Sequence, residues 1–268
     1  MSLMLGARWD HASQVERFTK AAAAGLIDYA EVNYPIDIGA DPFALGLRVL
    51  AHTSYNPTCS ALGVPEGVAR RVKDGADRAA SPWIGEHLSV LAEAGLGSLG
   101  YQINPLFTPE VRDIAIENVT ALKAYYGRPV ALELGPAYVG ATAYQSEMHF
   151  LVDVAKATDC DLILDVTHWQ ITNRNLGRPV DFGFDALPKD RIIELHVAGM
   201  RLGSDERHWH DAHHLLPPDE VIDQVVALAH ALPNLRAVTF EHHVTGSEDD
   251  FIGTLERLAQ RLARPRGA

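Results

Sequence analysis

Six short apolar segments of this 268-residue chain each end in a histidine, an aspartate or a glutamate. The six residues are, in chain order, His52, His87, Glu133, Asp165, His196 and Glu241. All strands of a parallel β-barrel end at the same face, so these side chains would meet there. Imidazoles and carboxylates are common ligands of divalent metals. The pattern therefore predicts a metal cluster at the mouth of a barrel.

Short apolar strands alternate with amphipathic helices along the chain. We predict eight strands, at 4–7, 29–33, 49–52, 83–87, 130–134, 162–165, 192–196 and 237–241. We predict helices at 13–24, 65–79, 108–126, 147–158, 219–231 and 249–264. The alternation indicates an α/β fold and favours a (β/α)8 TIM barrel as a single domain over residues 1–268. A doubly wound open sheet is the alternative.

The composition excludes several classes of protein. There are 23 Lys and Arg against 35 Asp and Glu, a formal charge of -12, which argues against a nucleic-acid partner. Two cysteines, Cys59 and Cys160, are too few for a disulfide framework and predict reduced thiols in a cytoplasmic protein. No apolar run reaches the ~18 residues of a membrane span, so we expect no membrane partner.

Asp165-Val-Thr-His168 is the first compact motif. It places a carboxylate and an imidazole three residues apart, where a predicted polar loop, 167–181, begins. This spacing lets the two side chains bind neighbouring metals. In the alternative interpretation, Asp165 caps a turn and His168 lies on the surface.

Asp211-Ala-His213 is the second motif, within a predicted loop at 197–218. Its i, i+2 spacing puts both side chains on one side of an extended segment, which suits chelation of one ion. Several histidines surround it, and a solvated His-rich loop is the alternative.

Glu133 and Glu241 follow apolar residues, where a carboxylate is costly to bury unless it is paired or metal-bound. Basic residues are scarce near those strand ends, which favours metal. Glu31 and Asn33 are candidates for contacts around a metal or with substrate, although structural hydrogen bonding fits them equally. We predict further substrate contacts at Asn104, Tyr138, Asn173, Asn175, His210 and His243. The chain lacks a Gly-rich phosphate loop after strand 1, a G-x-S-x-G motif and a CxxC pair, which argues against nucleotide binding and cofactor-free nucleophilic catalysis.

Several longer segments resemble a known family, the DUF692 family of multinuclear non-heme iron-dependent oxidative enzymes, within the xylose-isomerase-like TIM-barrel superfamily. The segments are GEHLSV (85–90), ELGPAY (133–138), LILDVTHWQITNRN (162–175), IIELHVAG (192–199) and WHDAHHLLPPDEV (209–221). The resemblance implies two or three iron ions, with zinc or manganese as substitutes in crystals, and O₂ as co-substrate. It also implies that the substrate is a ribosomally made peptide, often oxidised at cysteine, which a partner protein presents.

The same resemblance implies a distribution of the ligands over three metals. One metal would take His52, His87 and Glu133. A second would share Glu133 as a bridge and add Asp165, His196 and Glu241, and these four are the predicted catalytic residues. The third would take His168, Asp211 and His213.

Two positions depart from the family pattern, because Leu134 and His168 stand where many relatives carry asparagine. The departures indicate a divergent subgroup. A metal-dependent sugar isomerase or epimerase, a phosphodiesterase, and a non-catalytic metal-binding scaffold are the alternative functions on the same barrel.

Overall fold

A computed structural model describes residues 3–35, 42–93, 97–140 and 142–262, and only the backbone of 92–93 and 97–101. Its strands are β1 (Met4–Trp9), β2 (Tyr29–Asn33), β3 (Arg48–Thr53), β4 (Ile84–His87), β5 (Val90–Glu93), β6 (Gly97–Ile103), β7 (Val130–Glu133), β8 (Asp161–Asp165), β9 (Ile192–Ala198), β10 (Met200–Leu202), β11 (Trp209–Asp211) and β12 (Ala237–Glu241). Its α-helices are α1 (Val15–Ala23), α2 (Glu66–Ala79), α3 (Pro109–Tyr126), α4 (Glu147–Thr158), α5 (Val166–Asn175), α6 (Asp219–Ala231) and α7 (Glu248–Arg261). Three 3₁₀ turns lie at Ala12–Gln14, Pro42–Leu45 and Phe184–Ala186.

Eight parallel strands close into a barrel, in the order β1, β12, β9, β8, β7, β4, β3 and β2. The predicted (β/α)8 barrel is therefore confirmed, and the open sheet is excluded. Thr108 is the N-cap of α3 and precedes Pro109 at the first helical position, so the predicted helix at 108–126 is confirmed. The strands β5 and β6 pair as an antiparallel hairpin between β4 and α3, which the sequence analysis missed.

The two predicted polar loops are partly wrong. The helix α5 covers most of 167–181, because the Asp165 carboxylate accepts a hydrogen bond from the backbone N–H of His168 and caps it. In the second loop, β9 continues to Ala198, and β10 and β11 pair as an antiparallel hairpin. The last helix ends at Arg261, and residues 263–264 of the predicted helix lie outside the described residues.

Apolar side chains close the lower end of the barrel interior, and they include Tyr29, Leu50, Trp83, Ile163 and Ile193. Above this layer the buried Glu194 carboxylate accepts hydrogen bonds from Trp83 Nε1 at 2.8 Å and Thr239 Oγ1 at 2.6 Å. The described side chains therefore fill the lower part of the barrel interior, which leaves the strands' carboxyl ends as the place for a ligand.

Both cysteines are free and buried, as reduced thiols should be. Burial raises the pKa of the Cys59 thiol to about 12, so this thiol stays protonated and unreactive. Among the described residues, every helix is too short or too polar to cross a membrane.

Candidate metal centre

The Glu133 carboxylate lies at the centre of a buried group at the mouth of the barrel. Its Oε2 atom is 2.9 Å from His52 Nε2, 3.1 Å from His87 Nε2 and 3.6 Å from His196 Nδ1. Strand register produces the grouping, since His87 pairs with Glu133 and His52 pairs with Gly85 on adjacent parallel strands. A Cβ atom on Gly85 would lie 2.3 Å from His52 Cδ2, so only glycine leaves room for this imidazole.

His196 links Glu133 to two other strands. Its Nδ1 atom is 3.4 Å from Glu241 Oε1, and its Nε2 atom is 3.1 Å from Glu31 Oε2. The guanidinium of Arg8 donates a hydrogen bond to Glu241 Oε1 at 2.6 Å. The expectation that basic residues are scarce here was therefore wrong for Glu241, because β1 continues past its predicted end at residue 7 and brings Arg8 to the site.

His168 joins this inner group to an outer one. Its Nδ1 atom is 3.4 Å from Glu133 Oε1 and 3.5 Å from Asp165 Oδ2, while its Nε2 atom is 3.4 Å from Asp211 Oδ2. On the other side, His213 Nε2 is 2.9 Å from Asp211 Oδ2 and 3.3 Å from Glu241 Oε2. All nine predicted metal ligands thus lie in one continuous cluster.

Local structure holds the outer residues in place. Asp165 uses Oδ1 to cap α5 and leaves Oδ2 facing the site. The backbone N–H of Ala212 donates to the carbonyl of Gly199 at 2.9 Å, and that of His243 donates to the carbonyl of His213 at 2.8 Å. A Cβ atom on Gly199 would lie 2.2 Å from the Leu215 carbonyl oxygen, so this glycine permits the close approach of the His213 segment.

Many ligand-type atoms in the cluster are buried without a hydrogen-bond partner among the described residues. They are Glu133 Oε1, Asp165 Oδ2, His168 Nε2, His196 Nδ1, His213 Nε2 and Glu241 Oε2. Buried polar atoms without partners are costly, and a cation would satisfy them. Ligand atoms also lie within 4.8 Å of one another in four sets, which are His52/Glu133/His196, Glu31/His196/Glu241, Glu133/Asp165/His168 and His168/His213/Glu241. The residues fit metal ions with mixed imidazole and carboxylate ligands, such as iron, zinc or manganese.

Protons balance the negative charge of the metal-free cluster. Burial lowers the pKa of His196, but the neighbouring Glu31 and Glu133 carboxylates outweigh it and raise the pKa well above its ordinary value. In the same way, Asp211 and Glu241 overcome burial and raise the pKa of His213 to about 9. Burial lowers the pKa of His52 to about 4, so its ring is neutral and can bind metal directly. Metal binding would therefore displace protons from His196 and His213.

A cavity of about 710 Å³, here called the mouth cavity, opens beside the cluster. Its wall includes His87, His168 and Asp211 at the cluster end. Farther out, the wall is mostly apolar and includes Leu106 and Val139. A substrate in this cavity would therefore contact both the cluster and an apolar surface.

The residues predicted to contact substrate lie in different places, some at the mouth cavity and others in hydrogen bonds within the protein. Asn104 and Tyr138 line the mouth cavity, and the His210 ring lies 5.8 Å from the Tyr138 ring. Asn173 is buried and donates hydrogen bonds to the carbonyls of Val180 and Phe182.

Asn175 exchanges two hydrogen bonds with the backbone of Trp209, which attaches β11 to α5. His243 is exposed, and its ring bonds to Thr245 instead of pointing into the cluster. These contacts support structural roles for Asn173 and Asn175. Arg8 and Gln102 also line the mouth cavity, although neither was among the predicted site residues. Alternation along β1 would have identified Arg8, since Gly6 faces the barrel interior against Tyr29.

Residues 46–262 match the model of a family described as RiPP precursor modification enzyme MbnB/TglH/ChrH. A UPF0276 protein of Caulobacter vibrioides is 26% identical over 244 residues, which cover 90% of this chain and 81% of the relative. A UPF0276 protein of Shewanella amazonensis is 34% identical over 140 residues, covering 52% of this chain and 44% of the relative.

Solved structures share the fold at low sequence identity. A xylose isomerase-like TIM barrel protein from Mycobacterium smegmatis, in complex with magnesium, has a TM-score of 0.59 and 14% identity, with 97% of each chain covered. Endonuclease IV from Thermus thermophilus has a TM-score of 0.55 and 16% identity, with 96% of this chain and 99% of that chain covered. These neighbours show that the chain shares their TIM-barrel fold.

Proposed function

We propose that this chain, which belongs to the RiPP precursor modification enzyme family MbnB/TglH/ChrH, is a multinuclear iron enzyme. It would use O₂ to oxidise a residue of a ribosomally made peptide. Cysteine is the residue we expect it to modify. One observation carries the proposal: a buried cluster of imidazoles and carboxylates, with ligand atoms lacking partners, lies at the end of a cavity. A second protein would present the peptide.

The family resemblance implies how the ligands would divide among the ions. His52, His87 and Glu133 would hold one ion. A second would share Glu133 and take Asp165, His196 and Glu241, and the third would take His168, Asp211 and His213. The two oxygens of Glu133 face different histidines, which suits a carboxylate shared between two ions.

Bound iron would supply a site for the substrate thiolate and for O₂, lower the thiol pKa and transfer electrons. The protein's own groups orient the ligands. Glu31 bonds to Nε2 of His196 and so turns Nδ1 toward the cluster. Arg8 holds one oxygen of Glu241 and leaves the other facing His213. The apolar side chains of the mouth cavity limit water around the reacting groups.

Oxygen consumption tests this function. Tag-free protein loaded anaerobically with Fe²⁺ would be mixed with synthetic heptapeptides that carry a central cysteine. We expect O₂ uptake that requires both iron and peptide, accompanied by a mass change in the peptide. Matched peptides with serine in place of cysteine should give neither.

Two results would contradict the proposal. One is interconversion of sugars, or cleavage of an abasic DNA strand, by the metal-loaded protein without O₂. The other is an unchanged peptide together with less than one equivalent of transition metal after metal-replete expression.

A further inference from the structure

Two amide side chains in the wall of the mouth cavity carry hydrogen-bonding atoms that no other described residue engages. Asn104 Nδ2 donates to the Gly135 carbonyl at 2.8 Å, which fixes the orientation of this amide and leaves its Oδ1 as a free acceptor. Gln102 Nε2 and Asn104 Oδ1 are both buried without a partner among the described residues. A buried donor and a buried acceptor without partners are costly, which points to a ligand that satisfies both.

The two atoms lie close together. A Cβ atom built on Gly135 would lie 3.2 Å from Asn104 Oδ1 and 3.8 Å from Gln102 Nε2. Gln102 and Asn104 are two residues apart in an extended segment at the end of β6, so both side chains lie on the same side of it. An acceptor beside a donor matches the N–H and C=O groups of one residue in an extended peptide.

The surface around the amides is apolar. Leu106, Tyr138 and Val139 line the same cavity, and 62%, 43% and 73% of their surfaces are exposed. Phe107 and Ala137 complete this part of the wall. Arg8 and protonated His213 are cationic groups of the described wall, and both lie at the cluster end, where Arg8 is paired with Glu241 and His213 with Asp211. A carboxylate side chain would find no positive partner in the apolar part, and an apolar side chain would be favoured there.

We infer that Gln102 and Asn104 bind the backbone of one substrate residue, next to the modified one, whose apolar side chain packs on Leu106 and Val139. The inference rests on the proposed function, because it places the modified residue at the metal cluster. It adds a sequence preference: the peptide carries an apolar residue beside the modified position, and an acidic residue there is rejected.

Binding of defined peptides tests the inference without requiring turnover. The probes are fluorescein-labelled heptapeptides with a central cysteine and either leucine or aspartate on one or both sides, titrated against metal-loaded protein under argon. We expect at least one leucine peptide to bind about tenfold more tightly than its aspartate counterpart, as burial of one apolar side chain permits. Either peptide bond beside that leucine can be replaced with an ester, which removes one N–H group. Binding should weaken about fivefold when the lost N–H is the one that contacts Asn104.

Variants of the protein test which residues produce the preference for leucine over aspartate. Val139→Asp should abolish the preference for leucine over aspartate, whereas Leu62→Asp, at an exposed leucine outside the mouth cavity, should leave it unchanged. Gln102→Leu should weaken peptide binding about fivefold without lowering the melting temperature, since Gln102 Nε2 has no partner inside the described protein. A structural role for Gln102 would give the reverse pattern.

The outcomes separate this inference from the proposed function. Equal binding of leucine and aspartate peptides, or an unchanged preference in Val139→Asp, overturns the inference even if the cysteine peptides are oxidised. A leucine preference that persists when cysteine is replaced by serine, with no O₂ uptake for either, supports the peptide subsite and contradicts the oxidative function.

Discussion

Arg8 and Glu241 form a buried ion pair in which the guanidinium Nη1 lies 2.6 Å from the carboxylate Oε1. Arg8 is the penultimate residue of β1 and Glu241 is the last residue of β12, and these are adjacent parallel strands of the barrel. Only one oxygen of Glu241 is engaged by Arg8, and Oε2 faces His213 at 3.3 Å. Arg8 therefore neutralises Glu241 when metal is absent and leaves one oxygen available when metal is present.

Arg8→Met should destabilise the metal-free protein more than the metal-loaded one. Without Arg8 the buried Glu241 carboxylate loses its closest cation, and breaking a buried pair costs about 3–5 kcal/mol. A metal bound to Glu241 would replace much of the lost charge. The measurement is the melting temperature with EDTA and with saturating Mn²⁺, beside Arg48→Met as an exposed arginine control. Equal losses under both conditions would show that Glu241 and metal do not interact.

Glu133→Ala should lose metal from at least two positions while the barrel remains folded. Burial disfavours the Glu133 carboxylate, but His87 and His196 outweigh it and hold the pKa of Glu133 well below its ordinary value. Its contribution to stability is therefore present above the unfolded pKa of about 4.3 and is lost as pH falls through the lower folded pKa. The metal-free variant should melt at a lower temperature at pH 6.

Elemental analysis and circular dichroism check this prediction, with Glu147→Gln as a control at a buried carboxylate outside the cluster. We expect the wild type to hold at least two ions about 4 Å apart, as in two-metal sites. Full metal occupancy in Glu133→Ala would exclude Glu133 as a ligand.

The barrel and much of the cluster were predictable because they depend on strand ends. Each of the six strand-end residues, such as His52 and Glu133, follows a short apolar segment whose position the sequence defines. Parallel strands then bring these ends together whatever the side-chain details.

Contacts across the barrel were not predictable. His196 meets Glu31, although β9 and β2 are not neighbouring strands, so no local pattern relates the two residues. The helix α5 was missed because it is polar in sequence yet buried on almost every side. Such a helix lacks the one-sided apolar stripe by which amphipathic helices are recognised.

The ion held by His168, Asp211 and His213 should bind most weakly. All three residues were predicted to lie on loops, but His168 lies in α5 and Asp211 in β11. The prediction rests instead on the solvent exposure of the side chains. Those of Asp211 and His213 are 25% and 22% exposed, whereas that of Glu133 is 1% exposed. Solvent competes with these outer ligands and screens their charge.

Chelation measures the difference between the sites. Stepwise EDTA should remove one equivalent of metal before the rest, and His213→Ala should lack about that one equivalent. His214→Ala, at the exposed neighbour, is the matched control. Simultaneous loss of all ions, or unchanged metal content in His213→Ala, would contradict separate sites.

Glu86→Gln should stabilise the protein progressively as the pH rises from 5 to 8. The Glu86 carboxylate is buried and accepts hydrogen bonds from Asn56 Nδ2 at 2.9 Å and the Tyr126 hydroxyl at 3.2 Å. Burial raises the pKa of Glu86 to about 8, so the folded protein holds a proton that the unfolded chain releases near pH 4.3, about its unperturbed pKa. The wild type therefore loses about 1.4 kcal/mol of unfolding free energy per pH unit in this window, relative to the variant, and the difference levels off above pH 8. Urea unfolding of both proteins in EDTA at pH 5, 6.5 and 8 measures this difference in unfolding free energy, with Glu66→Gln as an exposed control. A difference that stays constant with pH would mean that Glu86 is already ionised in the folded protein.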